Sequence, residues 1–232
     1  MPFSCASCGA VATERLGTCP RCLEFNPFAP TVQSPHEYLR DSAVVSAADL
    51  WRRTTKCREL GELGQGFGRL PGDPCALAIY GPPGVGKSTL MLRLADRLAQ
   101  REPVLFNALE EGTGASLVDK LRRLEVRSPA LHVGCLSELP SCLAKAEDLR
   151  AGWIMFDSLT TSTVGAEDIA RIMRETSRSI VYSLHAAKDA TAKGSTGLLH
   201  VADVVVRLSS GGTFATEKHR FAPLAQGVWQ CS

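Results

Sequence analysis

The sequence predicts an α/β fold: a mostly parallel central sheet with an antiparallel C-terminal edge, preceded by a small N-terminal zinc ribbon. Three observations predict it. From Cys75 onward, short apolar runs alternate with helical stretches, the pattern of successive βαβ units. Residues Gly81, Pro82, Pro83, Gly84, Val85, Gly86, Lys87 and Ser88 match G-x-x-x-x-G-K-[ST] in full, between such a strand and such a helix, which is the context a phosphate-binding loop requires. Two CxxC pairs, Cys5/Cys8 and Cys19/Cys22, are separated by ten residues at the N-terminus.

Composition bounds the rest. The chain has 232 residues, 44% hydrophobic and 22% charged, enough apolar material for a core. A net charge of +2 is too balanced for a protein coated by nucleic acid, so any such contact must come from local basic loops. No apolar run approaches the roughly 18 residues of a membrane span. The N-terminus carries neither the basic nor the apolar region of a signal peptide, which predicts a cytoplasmic protein. Nine cysteines in such a chain do not argue for a disulfide framework. The four paired ones suit Zn²⁺, because two facing CxxC turns form a tetrahedral thiolate cage and metal binding itself folds so short a segment. The other five, Cys57, Cys75, Cys135, Cys142 and Cys231, read as small buried hydrophobes.

In chain order, residues 1–27 form the four-cysteine module. Residues 28–58 read as a proline-spaced linker with a short helix over 46–56, capped by Ser46. The core occupies 59–232, entered through a glycine-dense stretch at 61–72. Strands are predicted over 75–80, 104–108, 131–133, 153–156, 180–184 and 204–208, apolar along their whole length as in a sheet covered on both faces. Helices fall at 88–100, 115–124, 139–150 and 166–178. The tail turns into short strands at 204–208, 214–219 and 227–230 with no helix between them, hence the antiparallel edge.

The chemistry follows from the loop. Gly84 and Gly86 let backbone N–H groups curl round phosphates, and the helix beginning near Lys87 directs its positive end at them. Lys87 is expected to reach the β- and γ-phosphates, with the Ser88 hydroxyl on Mg²⁺ and Thr89 completing the nucleotide-binding run. An acidic partner for the metal should end a later apolar strand, and Asp157 does so; it would act through the ion's water shell. Glu110 and Glu111 lie just past the strand at 104–108, where such sheets place catalytic groups. Glu110, the first, is the favoured base for water; a solvated acidic turn is the alternative.

Taken together, the CPxC-containing zinc motif, the glycine-rich lead-in, GxxGxGKSTL, strands ending in EE and DS, and a later K-x-R-F segment resemble the bacterial RadA/Sms DNA repair ATPases of the RecA-like superfamily. The resemblance implies an ATP-dependent motor working with a zinc module on single-stranded or branched DNA, assembled as a ring or filament. It implies that Glu110 activates water and that His185, at a strand end, senses the γ-phosphate. The family's lysine-asparagine-arginine-phenylalanine-glycine motif appears as Lys218-His219-Arg220-Phe221-Ala222. Lys218 and Arg220 would complete a neighbouring subunit's site. They are two apart, so on a strand they share a face, and the sequence offers them no role in their own subunit. Two loops, 158–165 and 186–196, the latter with Lys188 and Lys193, would face DNA. The family continues into a Lon-protease-like domain, which the resemblance does not extend to here. The competing reading is a nucleotide-switched adaptor whose zinc module docks a protein partner without translocation.

Overall fold

The computed structural model describes residues 3–5, 11–12, 28–30, 46–52, 56–186 and 196–228, in two units, Met1–Val44 and Val45–Ser232. In the first unit β1 (Phe3–Cys5) pairs antiparallel with both β2 (Val11–Ala12) and β3 (Phe28–Pro30), giving the order β2-β1-β3. Cys5 ends β1. Cys8, Cys19 and Cys22 lie outside the described residues, and so does the predicted zinc cage.

The second unit opens with α1 (Ala47–Trp51), where the Asp49 N–H donates to Ser46 Oγ at 3.1 Å. This is the expected N-cap, on a helix shorter than the sequence suggested. A two-residue ladder of β4 (Cys57–Arg58) with β5 (Leu70–Pro71) brackets the glycine-dense stretch and its short helix α2 (Gly64–Phe67). Leu60, Leu63, Phe67 and Leu70 are buried in the main core, so this stretch is part of the domain's packing. Arg58 fixes it by donating to the carbonyls of Pro71 and Asp73 and lying 5.1 Å over the buried Trp153 ring. Phe67 is fully buried. Phe67→Ala is therefore expected to cost ~3–5 kcal/mol, measured as a lower urea midpoint at unchanged m-value.

The main sheet has eight strands in the order β13-β12-β11-β6-β10-β9-β7-β8. These are β6 (Ala76–Gly81), β7 (Val104–Asn107), β8 (Leu131–Gly134), β9 (Trp153–Phe156), β10 (Ser179–His185), β11 (Val204–Leu208), β12 (Thr213–His219) and β13 (Gln226–Val228). The strands from β8 to β11 run parallel and the last two antiparallel. Strand β6 shows the logic of burial on both faces. Leu77 and Ile79 enter one core, with α3 (Lys87–Ala99) and Leu117 of α4 (Ala115–Arg123), while Ala76, Ala78 and Tyr80 enter the other. That second core holds the apolar sides of α5 (Leu139–Asp148), α6 (Ala166–Thr176) and α7 (Thr196–Val201). Each large apolar side chain so buried stabilises the fold by ~1.5–3 kcal/mol. Among the described residues no helix is long and apolar enough to cross a membrane.

Two details depart from expectation. Cys75 and Cys142 are buried, and burial pushes their thiols up to about 12 and about 11; Cys57 and Cys135 are exposed instead, one on the short ladder and one in the turn after β8. Cys231 lies outside the described residues. The tail also carries α7, hidden in the sequence behind a loop. His219 ties the tail to the lead-in. Its Nδ1 accepts the N–H groups of Phe221 and Ala222 at 3.0 and 2.9 Å, and its Nε2 lies 2.8 Å from the Phe67 carbonyl.

Candidate functional site

Strand β6 runs through the middle of the sheet between β10 and β11 and delivers Gly81 to its C-terminal edge. A Cβ at Gly81 would collide with the carbonyl oxygen of Leu208 on β11, so the close approach of two backbones demands glycine here. The loop then turns outward. Gly84 and Gly86 have φ of +79° and +97°, left-handed conformations that glycine adopts without steric cost. Gly86 is also the N-cap of α3, and no side chain caps it. The open N–H groups of that first turn are a ready anion site.

Lys87 is only 7% exposed. Its Nζ donates to the carbonyls of Gly81 at 3.0 Å and Pro82 at 2.8 Å. Burial pushes the amine below the ordinary lysine range, and the carboxylates of Asp157 and Glu110 push it back. Asp157 follows β9 and is itself buried, accepting the Ser183 hydroxyl of β10 at 2.6 Å. Strand β10 lies between the strand carrying the loop and the strand carrying Asp157. It therefore supplies both the hydroxyl that orients Asp157 and, at its end beside Gly81, His185.

The strand ends are stitched together by the backbone. Asp157 N–H donates to Asn107 O, and Glu110 N–H donates to Asp157 O, each at 3.0 Å. Asn107 is fully buried and exchanges two hydrogen bonds with the Leu136 backbone, at 2.8 and 2.7 Å. This holds the end of β7, from which the two glutamates emerge.

Those adjacent carboxylates have different commitments. The Glu110 side chain is 47% exposed and its Oε2 lies 3.0 Å from His185 Nε2. Glu111 turns the other way, to the Ser116 hydroxyl and, at 2.6 Å, to Lys120 Nζ on α4. Burial pushes the Glu111 carboxyl up, but the hydrogen bonds from Lys120 and Ser116 and the lysine's charge outweigh it and hold it below the usual range.

Gly84, Gly86, Lys87, Ser88, Thr89, Glu110 and His185 thus surround one cleft of about 280 Å³, and the charge of Asp157, which does not line it, acts on Lys87. Lys120 also lines it and was not legible in the sequence, where it sits on an ordinary charged helix. Lys218 and Arg220 do not line this cleft. Lys218 Nζ donates to His200 O at 2.7 Å, at the C-terminal end of α7, and Arg220 pairs with Asp203 at 3.2 Å. Each therefore has a partner within its own chain. Burial and the neighbouring Arg220 push the Lys218 amine down, against Asp203. Lys188 and Lys193 lie outside the described residues. Among the described residues no group of three or more His, Cys, Asp and Glu side chains is arranged to hold a metal.

No family model matches the chain. Among curated proteins, the DNA repair protein RadA of Aquifex aeolicus is 29% identical over 167 residues, 68% of this chain and 37% of the relative. RadA of Pseudomonas aeruginosa is 26% identical, covering 88% and 50%, and RadA of Chlamydia muridarum 22%, covering 95% and 54%. The chain spans about half the length of most of the curated relatives it matches. Among solved structures, the flagellar accessory protein FlaH of Methanocaldococcus jannaschii superposes with a TM-score of 0.56 at 18% identity, over 76% of this chain and 92% of that one. A second solved structure, described as an ATPase domain, gives 0.51 at 14%, over 66% and 79%. With a loop-bearing strand in the middle of a mostly parallel sheet, the chain shares the fold of these two structures, and its similarity to RadA proteins along most of its length makes it RadA-like.

Proposed function

We propose that the chain is an ATP-dependent DNA recombination or repair factor, a RecA-like ATPase motor that acts in the cytoplasm on single-stranded DNA or branched intermediates. The observation that carries this reading is the convergence of the phosphate-binding loop, Glu110 and His185 on one cleft, with the buried Asp157 acting on the charge of Lys87.

On ATP entry, Lys87 exchanges the carbonyls of Gly81 and Pro82 for β- and γ-phosphate oxygens. The open N–H groups at the start of α3 take the remaining phosphate oxygens. Ser88 and Asp157 are hard oxygen donors that fit Mg²⁺, which neutralises phosphate charge when bound. Glu110, open to the cleft, accepts the proton of the attacking water. Glu111 is the poorer base, because Ser116 and Lys120 each hold one of its oxygens. His185 reports the state of the γ-phosphate through its contact with Glu110. Lys218 and Arg220 complete a neighbour's site in a ring or filament, and loops 158–165 and 186–196, with Lys188 and Lys193, contact DNA phosphates. Residues 1–27 hold Zn²⁺ through Cys5, Cys8, Cys19 and Cys22 and offer a surface for a protein partner; residues 28–58 link them to an ATPase core at 59–232.

The test is ATP turnover with and without single-stranded DNA, alongside light scattering and metal analysis. Mg²⁺-dependent, DNA-stimulated turnover by an oligomer with about one zinc per chain is the expected result. A monomer indifferent to DNA would replace the motor by a nucleotide-switched adaptor, the reading favoured by the in-chain partners of Lys218 and Arg220. A folded N-terminus with no metal would remove the zinc module.

A further inference from the structure

Lys120 belongs to no phosphate-binding motif, yet it stands at the wall of the nucleotide cleft beside Lys87 and Ser88. Its side chain is 19% exposed and its amine lies 2.6 Å from Glu111 Oε2, while Ser116 holds the other oxygen of that carboxylate. A bridge serving only to fasten the 111–116 turn to α4 could sit on the outer face of that helix. This one is turned to the cavity. An ammonium group has three donors, so a lysine that gives one to Glu111 can still offer others to a ligand. The low-lying Glu111 carboxyl stays a carboxylate over the neutral range, and its 2.6 Å hold on the amine removes part of the rotamer freedom that binding would otherwise cost.

We propose that Lys120 is a second nucleotide-binding cation within the same chain: its ammonium, aimed by Glu111, donates to the polyphosphate oxygens of a nucleoside triphosphate. The inference rests on the nucleotide-binding reading above and adds a contact to it. Glu111 is then a positioning residue, and it withholds part of the lysine's charge from the ligand.

The two members of the pair consequently have opposite effects on affinity, which a purely structural bridge would not produce. The test is a titration of the full chain with a fluorescent ATP analogue and Mg²⁺, with thermal melts to confirm folding. Lys120→Met, which keeps the aliphatic stem and its packing, is expected to raise Kd about tenfold or more, the loss typical of a hydrogen bond to a charged group. Glu111→Gln keeps an acceptor for Lys120 and frees its charge, so Kd should fall several-fold, most clearly at low salt. The double variant should remain weaker than wild type, because the donor is gone although the net charge of the pair is restored. Wild-type affinity for Lys120→Met, equal weakening by both single variants, or full recovery in the double variant would each overturn the proposal. In all of those cases Lys87→Ala still abolishes binding. A wild-type chain that fails to bind, or one that binds independently of Lys87, would instead overturn the nucleotide site as a whole, and this contact with it.

Discussion

Glu110→Gln is expected to bind ATP as the wild type does and to turn it over ~10²–10⁴-fold more slowly, the range for removal of a general base. Lys87→Ala should abolish binding altogether. The contrast follows from where the two side chains stand. Lys87 is embedded in the loop that wraps phosphate and already satisfies two of its carbonyls, so its loss removes charge from the ground state and transition state alike. The Glu110 carboxylate meets His185 and faces an open cleft, so its loss matters when water is deprotonated. Equilibrium binding and single-turnover hydrolysis separate the two. A wild-type rate for Glu110→Gln would eliminate it as the base; Glu111 is a poor substitute, being held by two donors.

The second large effect concerns assembly. Lys218→Ala and Arg220→Ala are each expected to lower turnover by ~10³–10⁵, the contribution of cations that reach a neighbour's γ-phosphate. Nucleotide affinity should change little, because the loop of the same chain stays whole. Turnover per wild-type chain should rise with protein concentration as subunits associate. Within one chain Arg220 pairs with Asp203 and is 55% exposed, so losing that contact costs little stability, and a melting curve near wild type would accompany the kinetic defect. To act in trans both cations must leave their own partners, Asp203 and the end of α7. Mixing Lys218→Ala with Lys87→Ala should therefore restore some activity where an intact loop meets intact cations. Turnover independent of concentration, or no rescue in the mixture, would rule out the trans role.

What the sequence disclosed and what it hid have distinct physical causes. Parallel strands covered on both faces are unbroken apolar runs, so β6, β7, β9 and β10 fall within about a residue of their expected bounds. The polar groups near their ends, Glu110, Asp157 and His185, come with them. The phosphate-binding loop is legible because its backbone geometry needs glycine at fixed places. The lead-in was obscured by those same residues: Leu60, Leu63, Phe67 and Leu70 recur at helical spacing, a core-facing signal diluted by the glycines around it. Contacts set by tertiary folding left no trace in the sequence. Lys120 meets Glu111 across a turn, and Lys218 meets the end of α7 only after the antiparallel return of β12.

The His219 contacts carry a consequence for how this chain can diverge. A ring whose Nδ1 accepts two N–H groups must keep its proton on Nε2, where it is given to Phe67 O. An asparagine side chain, with a carbonyl acceptor and an amide donor, offers the same polarity, and asparagine is the residue at this place in the motif the segment resembles. The histidine is thus a substitution of shape with the hydrogen-bond sense retained. Its larger ring imposes a condition elsewhere: it lies 2.7 Å from where a Cβ of Gly68 would be, at a position whose φ of +60° already favours glycine. Residues 68 and 219 are therefore bound into one steric bargain, and a lineage that keeps the ring has no freedom to enlarge the glycine.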